Sequence, residues 1–324
     1  MYTNAEILRM VNEALENKEY DRKPQSLYEP MKYVLSLGGK RIRPVLMLMG
    51  YNLYREDVER IMTNALAIET YHNYTLLHDD LMDRADVRRG KPCVHKVWDD
   101  NTAVLSGDAM LVLSYKMMAD CPKEKLPQVM DLFTETALEI GEGQQYDMEF
   151  ETRNDVREEE YIEMIRLKTS VLLACALKIG ALLADAPQAD ADALYVFGEK
   201  MGLAFQLQDD YLDVYGDFEK FGKKIGGDIL CNKKTFMLIN ALAKADEKQK
   251  AELDYWLNAK EYVPQEKIAA VTQLYNDLDI PALALEKINA YFDEAKAALQ
   301  SVQVDEEKKE YLWELAEQTL GRQS

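Results

Sequence analysis

The chain has 324 residues, enough for one large domain or two ordinary ones. Its hydrophobic content of 48% and charged content of 30% are typical of a folded globular protein and exclude a disordered one. The formal net charge of −19 repels nucleic acid and anionic membrane surfaces, so we expect neither as a partner. Any basic cluster in so acidic a chain needs a local explanation.

Helical periodicity runs through almost the whole chain. The N-terminal segment 1–20 is amphipathic and acidic, unlike a secretory signal, and is predicted to be a helix of the mature protein. Apolar residues then recur at helical spacing in long segments, at 55–82, 101–119, 125–151, 157–184, 189–215, 233–244 and 281–302. Short stretches containing Gly or Pro separate these segments, and no Pro/Ser-rich linker divides them. The pattern predicts an all-α protein, with residues 1–324 in a single domain.

Two aspartate motifs with the spacing D-D-x-x-D end two of the apolar helices. Their members are Asp79, Asp80, Asp83, Asp209, Asp210 and Asp213. Carboxylates at the end of a helix oppose its dipole, and like charges four residues apart repel each other. One such motif is compatible with a solvated surface, but two in equivalent places are better explained by a divalent cation. Carboxylates without Cys or clustered His favour Mg²⁺, which usually bridges protein carboxylates to substrate phosphates.

A phosphorylated ligand also needs direct cationic partners, and basic residues flank both motifs. They are Lys40, Arg41 and Arg43 in "GGKRIRP", Arg88 and Arg89 in "VRRGK", Lys168 beside Thr169 in "LKTS", and Lys223, Lys224 and Lys233 between "GKKIGGD" and "NKKT". Arg forms forked bonds to phosphate oxygens, whereas Lys acts as a point charge. Each of these residues taken singly is also compatible with a structural salt bridge.

The remaining chemistry-bearing residues indicate no further site. The four cysteines are far apart in sequence, which disfavours a zinc site or a disulfide framework and predicts a reducing cytoplasm. The longest apolar stretch, "SVLLACALKIGALLADA", contains Lys178 and is shorter than the roughly 20 apolar residues that a membrane span needs. We therefore predict a core helix there and no stable membrane insertion.

The motifs between about residues 38 and 235 resemble, in kind and in order, those of the trans-isoprenyl diphosphate synthases, the family of farnesyl and geranylgeranyl diphosphate synthases. The resemblance implies an all-α isoprenoid synthase fold, a helical bundle around a central apolar cavity, in a homodimer. It also implies a reaction in which isopentenyl diphosphate condenses with an allylic diphosphate through an allylic carbocation. Three Mg²⁺ ions would be bound together with the diphosphate.

The resemblance further implies roles for individual residues. The six aspartates would hold Mg²⁺ and, through it, the allylic diphosphate. Direct contacts to the allylic diphosphate are expected from Arg88, Lys168, Thr169, Gln206, Lys223 and Lys233. Contacts to isopentenyl diphosphate are expected from Lys40, Arg43, His72 and Arg89. Lys224 is an alternative to Lys223, because branches of the family align either lysine. Asp147 in "EGQQYDM" lies in a family-like stretch but is given no direct role.

Product length is expected to depend on the floor of the cavity below the first aspartate motif. Tyr74 precedes Asp79 by five residues and so lies about 7–8 Å deeper along the helix. With Thr75 and Tyr71 it predicts a fifteen-carbon product, with twenty carbons as the alternative; Tyr74 is also compatible with ordinary core packing. "DDLMD" has two residues before its last Asp, where bacterial short-chain members usually have four, which leaves the subclass open.

Two other classes compete with this interpretation: a terpene cyclase, and a non-enzymatic acidic helical protein that is either a cation buffer or an inactive partner subunit of a prenyl synthase. A terpene cyclase would share the fold and the first aspartate motif but would not need the cations of a second diphosphate site. A non-catalytic partner subunit of a prenyl synthase would be expected to lack one aspartate motif or the cations of "GGKRIRP". Both aspartate motifs and the cations are present, which favours the condensing enzyme.

Overall fold

The computed structural model describes residues 1–20, 22–216 and 225–319. In those residues the helices are α1 (Asn4–Glu16), α2 (Gln25–Ser36), α3 (Ile42–Asn52), α4 (Met62–Met82), α5 (Val94–Val97), α6 (Asp100–Met118), α7 (Leu126–Thr152), α8 (Glu158–Ile165), α9 (Val171–Leu183), α10 (Gln188–Tyr215), α11 (Gly227–Leu230), α12 (Phe236–Lys244), α13 (Glu247–Asn258), α14 (Pro264–Asp277), α15 (Ile280–Ser301) and α16 (Glu306–Thr319). A 3₁₀ turn, Val58–Ile61, precedes α4, and a π-helical turn, Arg166–Ser170, joins α8 to α9.

The prediction of an all-α chain is confirmed. Each long periodic segment of the sequence corresponds to a helix, and the segment 157–184 forms α8, the π-helical turn and α9 in succession. The strands in the described residues are two short ones, β1 (Val87–Arg88) and β2 (Lys91–Pro92), which pair antiparallel. This hairpin follows directly after α4 and lies within the basic motif "VRRGKP".

The chain divides into two compact units. The first contains Met1–Glu135, Cys175–Tyr195 and Gln300–Leu315, and the second contains Thr136–Ala174, Val196–Leu299 and Ala316–Ser324. The single domain expected over residues 1–324 therefore stays a prediction.

In the first unit, α3 and α9 pack backbone against backbone. A Cβ atom on Gly180 would lie 2.0 Å from the carbonyl oxygen of Met47, and one on Gly50 would lie 2.6 Å from that of Leu177. Larger side chains at these two positions would force the helices apart, so the glycines permit the close approach. α9 carries the long apolar stretch and is buried, as predicted.

In the second unit, α7, α8 and the helices from α10 to α15 bury a separate apolar cluster. Tyr161, Phe236 and Tyr275 are among its largest members. None of the helices in the described residues is both long enough and apolar enough to cross a membrane. The four cysteines all lie in the described residues and form no disulfide. A location in the cytoplasm stays a prediction.

Gly180→Ala tests the contact between α3 and α9. We expect it to lower the free energy of unfolding by ~1–3 kcal/mol, because a well-packed interface has no room for another methyl group. The matched control is Gly141→Ala on α7, where nothing lies within 4 Å of an added Cβ atom. That change should raise stability by ~0.5–1 kcal/mol, because alanine loses less backbone entropy in a helix. Equal effects in urea-induced unfolding would contradict the close packing.

Candidate active site

The first aspartate motif occupies the last turn of α4, where Arg88 from the hairpin binds it. Asp80 is buried, and Nε of Arg88 donates to both of its carboxylate oxygens at 2.7 and 2.8 Å. Nη2 of Arg88 lies 2.7 Å from Asp80 and 3.7 Å from Asp79. Asp83 follows as the C-cap of α4 and is exposed. The hairpin thus places Arg88, which is predicted to bind the diphosphate, beside two of the three carboxylates.

Cys93 lies beside this carboxylate pair but is not suited to bind a metal. It is buried, and its thiol is hydrogen-bonded to Asp80. Burial, together with the negative charge of Asp80, raises the pKa of the Cys93 thiol to about 11. Because the thiolate is the form that binds metals, Cys93 is a neutral donor at pH 7.

The residues predicted to bind isopentenyl diphosphate form a second basic group in the same unit. Nη1 of Arg43 lies 3.1 Å from Nε2 of His72, and Nη1 of Arg89 donates to the carbonyl oxygen of Gly38. Burial lowers the pKa of Arg43 to about 10, and burial followed by Arg43 lowers the pKa of His72 well below its usual value. His72 is therefore neutral at pH 7. Lys40 is exposed.

One atom of this group points to an anionic ligand. Nε of Arg43 is buried and has no hydrogen-bond partner among the described residues. A buried donor without a partner is costly, and a diphosphate oxygen would satisfy it.

Beneath these cations lies a buried ion pair that the sequence interpretation missed. Arg41 has φ of 51° at the start of α3, and its Nη1 donates to Oε1 of Glu69 at 2.6 Å. Its Nη2 donates to the carbonyl oxygen of Leu35 at 2.6 Å, and Nδ2 of Asn73 donates to Oε1 of Glu69 at 2.9 Å. The charge of Glu69 also acts on Arg43 and tends to raise its pKa. The sequence feature that could have indicated this pair is Glu69, a glutamate within a largely apolar helical segment.

Glu69→Ala tests this ion pair. Breaking a buried pair leaves an uncompensated charge, so we expect the free energy of unfolding to fall by ~3–5 kcal/mol. The matched control is Glu13→Ala, which removes the exposed pair of Arg9 and Glu13 on α1. Its cost should be only ~0.2–0.5 kcal/mol, as for other exposed i,i+4 pairs. Urea-induced unfolding measures both, and similar losses would mean that the Arg41–Glu69 pair is not effectively buried.

The second aspartate motif lies at the end of α10, and its members have different environments. Asp210 is only 2% exposed; it accepts hydrogen bonds from the hydroxyl of Tyr161 and, at 3.4 Å, from Nε2 of Gln206. Burial raises the pKa of Asp210 to about 7, although Lys233 and the bond from Tyr161 oppose the rise. Asp209 is exposed. A divalent cation would hold the Asp210 carboxylate in its ionised form.

The third member, Asp213, reaches the turn that begins α11. Its Oδ2 accepts the backbone N–H of Asp228 at 2.9 Å, and its carbonyl oxygen accepts the N–H of Gly226 at 2.6 Å. Tyr161 and Asp228, which sequence reasoning did not assign to the site, are therefore in direct contact with the motif.

Lys168 and Thr169 lie on the π-helical turn between α8 and α9. π-helical turns are frequent at functional sites. Nζ of Lys168 lies 2.5 Å from Oδ2 of Asp147, so Asp147 has a closer connection to the site than the sequence indicated. A Cβ atom on Gly143 of α7 would lie 2.4 Å from the backbone nitrogen of Lys168. The glycine lets α7 approach the turn. Thr169 is half-buried.

Lys233 lies close to carboxylates of the second unit. Its Nζ lies 3.8 Å from Oδ1 of Asp228. Burial tends to lower its pKa, but the carboxylates of Asp228 and Asp210 outweigh that effect and raise it. Lys234 is buried instead, and burial lowers its pKa. Lys223 and its alternative Lys224 lie outside the described residues.

The predicted chain-length residues form an aromatic layer on α4. The ring of Tyr71 packs edge-on against Phe133, with centroids 5.4 Å apart, and against Tyr74 at 5.5 Å. Tyr74 packs edge-on against His78 at 4.9 Å. Oγ1 of Thr75 donates to the carbonyl oxygen three residues earlier at 2.8 Å. Tyr71 is buried and Tyr74 half-buried.

The donor chemistry of both aspartate motifs fits Mg²⁺. In residues 1–20, 22–216 and 225–319, no three Asp, Glu, His or Cys side chains are arranged to hold a metal by themselves. The motifs offer carboxylate oxygens, the ligands that Mg²⁺ prefers. Arg88 pairs with Asp80 of the first motif, and the charge of Asp210 in the second motif acts on Lys233; both cations suit phosphate.

Comparisons with known proteins identify the class. The family model of the polyprenyl synthetases matches residues 24–278, and the chain belongs to this family. It is 41% identical over 254 residues to the short chain isoprenyl diphosphate synthase of Methanocaldococcus jannaschii, covering 78% of this chain and 77% of that protein. It is 35% identical to the geranylgeranyl pyrophosphate synthase of Geoglobus acetivorans, covering 97% and 96%.

Solved structures agree with this assignment. A crystal structure of a geranylgeranyl pyrophosphate synthase has a TM-score of 0.94 and 42% sequence identity, covering 100% of both chains. The chain therefore has the all-α isoprenoid synthase fold, and it is a prenyltransferase, a short-chain trans-prenyl diphosphate synthase. The family resemblance read from the motifs is confirmed.

Proposed function

We propose that this enzyme condenses isopentenyl diphosphate with allylic diphosphates and stops at geranylgeranyl diphosphate. The observation that carries the condensation is the presence of two basic groups in one unit. Arg88 binds Asp80, and Arg43 stands beside His72 with its buried Nε unsatisfied. A condensing enzyme needs two diphosphate sites, whereas a cyclase needs one.

The choice of a twenty-carbon product rests on the relatives. Curated relatives are named geranylgeranyl diphosphate synthase, and that of Natronomonas pharaonis is named geranylfarnesyl diphosphate synthase. These names do not support the fifteen-carbon product that the sequence interpretation preferred, and they favour twenty carbons or more.

The residues suit ionisation of an allylic diphosphate. Mg²⁺ held by the two aspartate motifs would supply the positive charge that helps the diphosphate to leave. Arg88, Lys168 and Lys233 would stabilise the negative charge that grows on the leaving oxygen. Arg43 and Arg89 would hold isopentenyl diphosphate so that its double bond meets the allylic cation within one complex. The released diphosphate would then accept the proton that is lost.

The test is incubation of purified protein with isopentenyl diphosphate and, separately, five-, ten- and fifteen-carbon allylic diphosphates. With Mg²⁺ present we expect extension that ends at twenty carbons; removal of Mg²⁺ with a chelator should abolish it, because the aspartates alone repel the diphosphate. Products are sized by chromatography. An end product of fifteen carbons would refute the proposed length, and cyclised hydrocarbon without extension would refute the proposed reaction.

The aromatic layer of α4 supports a bounded product. Tyr74 lies five residues, about 1.4 turns, before Asp79 on the helix that carries the first aspartate motif. An allylic chain that grows along α4 from Asp79 would meet Tyr74 and then Tyr71. We therefore retain Tyr74 as the residue that limits product length.

Tyr74→Ala should lengthen the main product by at least one five-carbon unit, because it removes the bulk of the aromatic ring from the floor. Chromatography of the products with a fifteen-carbon primer measures the change. Tyr255→Ala is the control, since Tyr255 lies on α13 and is largely exposed. An unchanged product distribution in Tyr74→Ala would mean that Tyr74 is only packed core.

We also propose that the enzyme is a homodimer and that α6 contributes to the interface. Leu105 and Val112 on this helix are 60% and 69% exposed, and Val104 is exposed beside them. An apolar face of this kind is unusual on a monomer and suits burial against a second copy.

Leu105→Asp should shift the protein towards monomers, because it places a charge in the middle of the apolar face. Light scattering coupled to size-exclusion chromatography measures the mass. Leu285→Asp on α15 is the control, since it makes the same change at another exposed leucine. A dimer that tolerates Leu105→Asp would exclude this face, and a monomeric parent enzyme would exclude the homodimer.

A further inference from the structure

The turn around α11 carries two charged groups of the second site, Asp228 and Lys233. It is bounded by two residues with left-handed backbone, Gly226 with φ of 81° and Asn232 with φ of 55°. The backbone N–H of Lys233 donates to the carbonyl oxygen of Asp228 at 3.0 Å. The direction in which the chain leaves Asn232 therefore decides where the side chain of Lys233 begins.

Both polar atoms of the Asn232 side chain are used. Its Nδ2 donates to the carbonyl oxygen of Leu257 at 2.9 Å, and its Oδ1 accepts from Nζ of Lys267 at 2.6 Å. Asparagine tolerates the left-handed region better than most residues do, but the conformation still needs support from its surroundings. The two hydrogen bonds provide that support.

Lys267, on α14, is an unusual residue to find in a core. It is 1% exposed, and within the described part of the chain it forms no ion pair with a carboxylate. Its Nζ lies 4.5 Å from the ring centroid of Tyr262 and bonds to the amide oxygen of Asn232. A buried ammonium without an opposite charge is costly, since a methionine would fill the same space at lower cost. Stability alone therefore does not explain a lysine at this position.

We infer that Lys267 is a positioning residue, which holds Asn232 in its left-handed turn and thereby sets the place of the Lys233 ammonium beside Asp228. α14 also supports the other end of α11, because a Cβ atom on Gly226 would lie 2.7 Å from the side chain of Ile268. The inference rests on the proposed role of Lys233 in binding the allylic diphosphate. It adds a residue that touches neither substrate nor metal.

The test measures kcat and KM for each substrate. Lys267→Met removes the ammonium and keeps the side-chain length; Asn232→Gly keeps the backbone conformation and removes the tether. Each should raise KM for the allylic diphosphate about tenfold, equivalent to ~1.4 kcal/mol of binding, and leave KM for isopentenyl diphosphate unchanged. The double variant should be no worse than either single one, because both remove the same link.

Two reference variants make the result decisive. Lys309→Met is matched to Lys267→Met, because Lys309 is also a buried lysine. Its Nζ donates to the carboxylate of Glu306 and to the carbonyl oxygen of Gln300, all in the first unit. It should lose stability without changing KM for the allylic diphosphate. Lys233→Met should raise that KM. Thermal unfolding of every variant separates loss of fold from loss of position.

The contrary outcomes are distinct. If Lys267→Met and Asn232→Gly change KM no more than Lys309→Met does, Lys267 is only a structural residue and the inference is wrong. If Lys233→Met itself leaves the allylic KM unchanged, the role of Lys233 fails and the inference fails with it. Condensation of the two substrates would still stand in either case, because the parent enzyme tests that separately.

Discussion

The ion pair between Arg41 and Glu69 is the interaction on which the basic half of the site depends. Arg43, two residues after Arg41, is half-buried with its Nε fully buried, and the negative charge of Glu69 opposes the lowering of its pKa by burial. Glu69 supplies that charge from α4, the helix that also carries His72 and the first aspartate motif. The start of α3 is thereby tied to the middle of α4, beside the cations that we propose for a diphosphate.

The second unit holds carboxylates close together, whereas the basic group of the first unit holds cations close together. Burial pushes the pKa of Asp210 to about 7, while Tyr161 donates a hydrogen bond to it and Lys233 adds a positive charge. Asp213 is used differently, as an acceptor for backbone N–H groups of the following turn. The environment of Asp210 therefore shifts its pKa, whereas Asp213 fixes the position of the turn. The two carboxylates thus have different structural environments, although the sequence motif presents them as equivalent.

The two units share a way of placing functional side chains, in which glycine lets a second helix come close. Gly143 allows α7 to reach the π-helical turn that carries Lys168. Gly107 of α6 likewise leaves room for the ring of His78, which packs against Tyr74. In both cases a residue without a side chain leaves room for a neighbouring group, which is the backbone of Lys168 in one case and the ring of His78 in the other.

The sequence by itself determined the helices, the two aspartate motifs at helix ends and the basic motifs, because periodicity and charge are local properties. The family followed from the order of these motifs. Tertiary structure decided that Asp147 pairs with Lys168, that Tyr161 bonds to Asp210 and that Glu69 and Lys267 are buried polar supports. Their letters look like those of any surface glutamate or lysine. Burial and partners arise only when distant segments pack together, and among these residues only Glu69 has a local signal, its position within the largely apolar helix α4.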